Sequence, residues 1–293
     1  MIELNNVLKR HELRTTSYQK KGKVTIIDSN LGKLVIKPKK NKSIYPYLEM
    51  RSFSYYPEIL IEDEEYEITP FLEEIEMPKD QKMLDMIHLL SLLHNKTMYY
   101  KNVDYDEYKK NYEELKNNIN YLNIYYNDLM TIIESKIYPD PAEILFSRNC
   151  SIVFDALIYC EKELDNWYEM VKNKTKRRYA VLHNNLSLEH FIRNKNAYLI
   201  SWDKAKRDLP IYDLYKLYKT YGLDFDFVSI LKKYENNCPL LPDEKKLFYI
   251  LISIPDKIEF KNSIYENCIS ITNLIDYLYE TEKIVLPQDT EKT

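Results

Sequence analysis

The chain has 293 residues, 45% hydrophobic and 30% charged, long enough to build two lobes, each with its own core. A formal net charge of −4 supplies no basic field and argues against nucleic acid as the main partner. No run approaches the roughly 18 apolar residues of a membrane span, and MIELNNVLKRHELR has no apolar targeting core, so a cytoplasmic protein without a membrane partner is expected.

Cys150, Cys160, Cys238 and Cys268 show neither C-x-x-C spacing nor a neighbouring histidine, so reduced core thiols are expected. The excess of Lys, Asn, Ile and of the 28 tyrosines fits an AT-rich coding bias and marks no binding surface. With only Gly22, Gly32 and Gly222 there is no G-x-G-x-x-G turn and no P-loop, so a nucleotide site here would have to work without a glycine cradle. The basic runs 37–42 and 174–178 read as solvated faces.

Residues 17–37 predict strands joined by turns. Val24, Thr25, Ile26 and Ile27 form a β-rich run, Ser29 to Gly32 a turn, and residues 33–37 the next strand, which ends in Lys37 before Pro38 stops pairing. Residues 43–53 predict a short helix with Pro46 in its first turn and Glu49 near its end. Two strands, 59–61 and 66–69, flank an acidic turn. After Pro78 the hydrophobic period changes from 2 to 3.6. Met83, Met86, Ile87, Leu90 and Leu93 make a helical face leading to His94, which is read as structural.

Two long stripes follow. Tyr105, Tyr108, Tyr112, Leu115, Ile119, Leu122, Tyr126, Leu129 and Ile133 recur at steps of three and four, as do Val153, Leu157, Cys160, Leu164, Trp167 and Val171. Pro139 and Pro141 separate them, which predicts an antiparallel helical pair packed as core. Residues 213–235, 243–253 and 263–283 read as amphipathic helices, and the tail LPQDTEKT as a polar end. No internal repeat or low-complexity linker interrupts the chain.

Residues 181–214, VLHNNLSLEHFIRNKNAYLISWDKAKRDLPIYDL, carry the chemical information. This segment resembles the catalytic segment of the aminoglycoside phosphotransferase and choline kinase superfamily, which runs H-G-D-L-H-x-x-N, a short hairpin, I-D-W-(D/E) and a Tyr-Asp-Leu. Leu186, Phe191, Ile192, Leu199, Ile200, Trp202, Asp203, Tyr212, Asp213 and Leu214 keep the flanking signature. His183 matches the pattern's histidine, but Asn185 stands at the catalytic aspartate position. His190 occupies the metal-binding asparagine position and Ser201 the second metal-binding aspartate position. The resemblance covers residues 17–280 in order of elements and 181–214 at motif level.

The resemblance implies an α+β, bilobal protein kinase-like fold, with a β-rich N-lobe at 1–72 and a helical C-lobe at 73–293. It implies that His183 organises the catalytic loop, that Asp213 supports that loop, that Lys37 is the phosphate-gripping lysine with Glu49 as its partner, and that residues 70–72 form the hinge. The stretch up to the hinge also resembles the N-lobe of spore-coat kinase-like proteins of the S type, which would imply a spore-associated setting. ATP or another nucleotide is the implied cofactor.

Phosphoryl transfer needs a proton acceptor, oxygen ligands for magnesium and cations on the phosphates. The amide of Asn185 is no base, and losing a general base costs about 10²- to 10⁴-fold in rate. Magnesium prefers hard oxygen ligands, so His190 and Ser201 weaken two ligand positions together, and magnesium is poorly served. Asp203 has two readings: it caps the following turn, or it replaces Ser201 as a metal ligand if the chain between them is extended. The expectation is therefore a pseudokinase that binds a nucleotide, a small ligand or a protein partner without efficient phosphoryl transfer. The alternatives are an active ATP-dependent small-molecule phosphotransferase using Asp203, and a structural coat-type assembly protein.

Overall fold

A computed structural model describes residues 10–22, 24–39, 44–62, 65–260 and 263–286, with only the backbone of Tyr105. The readings of residues 40–42, of 63–64 in the acidic turn and of the tail beyond Leu286 lie outside the described residues. The chain divides into two compact units, residues 1–97 with 183–206, and residues 98–182 with 207–293.

In the first unit, β1 (Thr15–Lys21), β2 (Val24–Ser29), β3 (Gly32–Pro38), β4 (Ile61–Glu62) and β5 (Tyr66–Pro70) make an antiparallel sheet in the order β1-β2-β3-β5-β4. The β2–β3 turn is built by Gly32 at φ +96° and by Ser29, whose hydroxyl donates to the Gly32 carbonyl at 2.8 Å. Ile27, Leu34, Ile36, Ile68 and Leu13 form the core of this sheet. Because side chains alternate along a strand, Lys37 projects from the face opposite Leu34 and Ile36. The edge strand expected at 59–61 is shorter and begins two residues later, while Leu60 still donates its amide to Ile68 at 2.9 Å.

Helix α1 (Tyr45–Met50) carries Pro46 in its first turn, where a missing amide proton costs nothing. Helix α2 (Lys79–Thr97) buries Met83, Met86, Ile87, Leu90 and Leu93, the face expected of it, together with His94. The hairpin of β8 (Phe191–Arg193) and β9 (Ala197–Leu199) packs with α2. Backbone bonds tie it further into this unit, from Leu199 to the Tyr55 carbonyl and from Ile75 to the Arg193 carbonyl. These contacts group α2 and residues 183–206 with the sheet in one compact unit.

In the second unit, α3 (Tyr105–Glu134) and α4 (Pro141–Val171) lie antiparallel, with Tyr108 against Trp167 at one end and Tyr126 against Phe146 at the other. Every expected stripe residue of α4 is buried. Asp140 starts α4 with a capping box: it accepts from the amides of Ala142 and Glu143, while Glu143 accepts from the Asp140 amide. Strand β6 (Tyr99–Asn102) pairs antiparallel with β7 (Lys176–Leu182), and β10 (Lys206–Asp208) flanks β7 on its other side.

The remaining helices are α5 (Ile211–Tyr221), α6 (Phe227–Glu235), α7 (Pro242–Ser253) and α8 (Ile264–Val285). The single helix expected over 213–235 is therefore two. Asp226 starts the second by accepting from the amides of Val228 and Ser229, a local cap that competes with helix continuation. The run 174–178 also departs from the solvated face expected of it: Arg177 and Arg178 are buried on β7. Among the described residues no helix is long and apolar enough to cross a membrane.

Candidate functional site

The first unit brings Lys37, His183, Asn185, His190, Ser201 and Asp203 together through two short loops and the end of β3. The loop after β7 and the loop after β9 are knitted by backbone-directed bonds. His183 is fully buried and donates Nε2–H to the Ile200 carbonyl at 2.8 Å, its ring edge-on to Trp202 with centroids 4.7 Å apart. Trp202 in turn donates its indole N–H to the Leu199 carbonyl at 2.8 Å. Asn184, held at φ +58°, donates its amide to the Lys204 carbonyl at 2.8 Å.

The residues that the resemblance places at the chemical positions make structural bonds. Asn185 donates its side-chain amide to the Ser201 carbonyl at 3.3 Å. His190 lies 2.6 Å through Nδ1 from the Asn185 backbone carbonyl, so Nδ1 carries a proton. Its backbone carbonyl accepts from the Ile200 amide at 2.9 Å. Ser201 adopts the left-handed conformation at φ +65°, ψ +52°, and a 3-10 turn over Trp202–Lys204 follows. The chain from Ser201 to Asp203 is thus not extended, and the same-face argument linking the two side chains does not apply. A left-handed residue followed by a tight turn re-aims Asp203 independently of Ser201.

Asp203 instead meets Lys37: Nζ and Oδ1 are 2.7 Å apart, with side chains 19% and 29% exposed. The Lys37–Glu49 pair expected from the sequence is not the one formed. Helix α1 has only six residues, and Glu49 sits exposed in its last turn, accepting from the Tyr56 hydroxyl at 3.1 Å. Burial, with that bond to Glu49 behind it, pushes the Tyr56 hydroxyl up to about 12.

A site residue the sequence reading missed is Glu67. It is the direct cross-strand partner of Lys37 in the β3–β5 register. Burial raises its carboxyl above the ordinary glutamate range, Lys37 pulls it back, and the charges of Glu62 and Asp203 raise it further. Tyr45 is also raised, by burial first and then by Glu67 and Asp203. The signal in the sequence was the alternation in Tyr66-Glu67-Ile68-Thr69, which puts Glu67 on the face opposite buried Ile68. Only the register shows what it faces.

Asp213 lies in the second unit, in the first turn of α5, and is 1% exposed. At the expected hinge, the Phe71 amide donates to the Lys33 carbonyl at 2.8 Å, so that donor is already used within the sheet region.

Magnesium, which kinase-like folds use, does not fit this donor set. Asp203, which keeps the flanking signature, is paired with Lys37. The Asn185 side chain presents its N–H to a carbonyl, and His190 can offer only its Nε2 nitrogen, a soft donor that magnesium disfavours. Among the described residues no three His, Cys, Asp or Glu side chains are grouped to hold a metal.

No known family profile matches the chain, and no curated protein matches its sequence. Solved structures do match its fold. The chain is similar to an aminoglycoside phosphotransferase from Alicyclobacillus acidocaldarius, with a TM-score of 0.62 and 8% identity over 92% of this chain and 90% of that one. It is also similar to spectinomycin phosphotransferase APH(9)-Ia in its AMP-bound complex, at TM-score 0.55 and 13% identity over 99% of both chains. A third likeness is to the choline kinase LicA from Streptococcus pneumoniae, at TM-score 0.50 and 14% identity over 97% of this chain and 96% of that one. The chain has the fold of aminoglycoside phosphotransferases and choline kinases.

Proposed function

We propose that this chain is a pseudokinase, a kinase-fold protein that binds a nucleotide, a small ligand or a protein partner without efficient phosphoryl transfer. The observation that carries the reading is the use made of the displaced positions. Asn185, with no basic atom in its side chain, spends its amide on the Ser201 carbonyl, and Asp203 is paired with Lys37. At the Asn185 position the side chain offers no base, and among the described residues no three His, Cys, Asp or Glu side chains are grouped for a metal, while the loop itself is held by His183, Asn184 and Trp202. His183 acts as organiser here, since its Nε2 proton is committed to a backbone carbonyl.

A second reading, an active small-molecule phosphotransferase, has one observation in its favour: a lysine and a carboxylate are both retained at the loop. Positioning carries much of the rate of phosphoryl transfer, so a missing base alone does not abolish it. Thermal shift with ATP and ADP, each with and without magnesium or manganese, separates these readings when combined with an ATP-turnover assay. A metal-independent shift without turnover is the expected result. Metal-dependent stabilisation with turnover overturns the pseudokinase reading, and no shift at all moves the protein to a partner-binding or assembly role.

A further inference from the structure

The buried arginines of β7 open onto a cavity of about 170 Å³ inside the second unit, formed with Tyr108 of α3, Trp167 of α4 and the first turn of α7. Its charges do not cancel. Lys174, Lys176, Arg177 and Arg178 line it against Asp243 and Glu244. Glu244 is committed to Arg178, accepting from Nε at 2.8 Å and also from Nη2, and Asp243 is paired with Lys174 at 2.8 Å. That leaves Lys176 without an ion pair among the described residues, and Arg177 with only a long ion pair to Glu107, which does not line the cavity.

Arg177 is 8% exposed, yet the carboxylate it meets, Glu107, is 3.7 Å away. The same Glu107 oxygen accepts from the Tyr179 hydroxyl at 3.0 Å. Among the described residues the Arg177 guanidinium makes no hydrogen bond, and it lies 5.0 Å over the Tyr108 ring. The Tyr108 hydroxyl, on a side chain 1% exposed, is likewise buried without a hydrogen-bond partner. Burial raises this hydroxyl and keeps it protonated, although Arg177 acts in the opposite direction. The Tyr108 hydroxyl is thus a buried donor without an acceptor, beside an Arg177 whose carboxylate partner lies beyond hydrogen-bond distance, and the Asp243 Oδ1 facing Lys174 makes no hydrogen bond either; native interiors avoid such unmet groups.

We propose that this cavity is a binding site for a phosphate-sized oxyanion, held by the Arg177 guanidinium and the Tyr108 hydroxyl with Lys176 contributing charge at its exposed edge. A guanidinium fork matches the paired oxygens of a phosphate group, and charge-assisted bonds are the strong ones. The volume is well below the roughly 300 Å³ at which pockets for drug-sized ligands begin, but ample for an ion with ordered water. Free phosphate and a small phosphomonoester share this chemistry. The assignment is independent of the pseudokinase reading, since no residue of the Lys37 site lines the cavity.

The test is a titration of the intact protein with inorganic phosphate, followed by thermal shift and calorimetry against chloride at equal ionic strength. A saturable rise in Tm is expected. Tyr108→Phe deletes a hydroxyl that has no protein partner, so it should leave the Tm without phosphate unchanged or slightly higher. It should also weaken phosphate binding roughly tenfold, the effect of one hydrogen bond to a charged group. Arg177→Met should abolish the response, and Lys37→Met should leave it intact. Equal binding of glycerol phosphate would identify a phosphomonoester site, and its exclusion a free-ion site. No saturable rise beyond chloride, or a rise surviving in both Tyr108→Phe and Arg177→Met, overturns the proposal.

Discussion

Strand β7 is held within the second unit by buried side chains. Its strongest anchor is the ion pair of Arg178 with Glu244, whose side chains are 5% and 7% exposed. Arg178 Nε donates to Oε1 at 2.8 Å and Nη2 to Oε2, while Nη2 also reaches the Pro239 carbonyl at 2.9 Å. Glu244 additionally accepts from the Leu241 amide at 3.0 Å in the first turn of α7. Glu244→Gln would keep the shape but leave a buried guanidinium without its counter-charge, which costs about 3–5 kcal/mol. An exposed pair such as Lys109 with Glu113, 3.9 Å apart, is worth only about 0.3–0.5 kcal/mol and is the control. Because replacing both ions by apolar groups is often neutral, the double change Arg178→Met with Glu244→Leu should be more stable than Glu244→Gln alone. Urea unfolding followed by near-UV circular dichroism measures all three. If Glu244→Gln is as mild as Lys109→Gln, or the double change is no better than the single one, the pair does not anchor β7 as described.

Glu67 gives a pH signature. Its carboxyl is raised in the fold, so the folded state holds its proton more tightly than the unfolded state does. Its contribution is favourable below the ordinary glutamate range and is lost as pH rises through the raised value. Glu67→Gln should therefore leave the Tm unchanged at acid pH and raise it at neutral pH; destabilisation at neutral pH would show that attraction to Lys37 outweighs burial. Ser201 in its left-handed conformation should accept Gly with a gain of about 0.5–1 kcal/mol, whereas Asp213→Ala, which removes a buried carboxylate, should cost about 1–3 kcal/mol. Chemical denaturation of the two variants checks the contrast, and a tolerant Asp213 removes it from any supporting role. Restoring the pattern with Asn185→Asp, His190→Asn and Ser201→Asp should create magnesium-dependent nucleotide binding, read by calorimetry. Tight magnesium-dependent binding by the unaltered chain would contradict the site chemistry.

Most elements and their order were legible in the residue pattern, although the helix read over 213–235 is two. Period-2 runs before residue 70 and period-3.6 stripes after Pro78 are local consequences of which face must be buried, so the sheet, α2 and the α3–α4 pair were readable from spacing. The residue types at 183–203 carry the resemblance from which a replaced base and two replaced metal ligands are inferred. Pairing between distant charges was not readable, because it depends on register and on backbone conformations that a residue list does not encode. Lys37 faces Glu67 because β3 and β5 align in one register, and it meets Asp203 because Ser201 turns left-handed before a 3-10 turn. Glu49, adjacent in reasoning, is spent on Tyr56. The basic run 174–178 shows the same limit: alternation along β7 and the arrival of α7 bury two arginines that composition alone places in water, and leave Arg177 and Tyr108 lining a cavity with donors unmet.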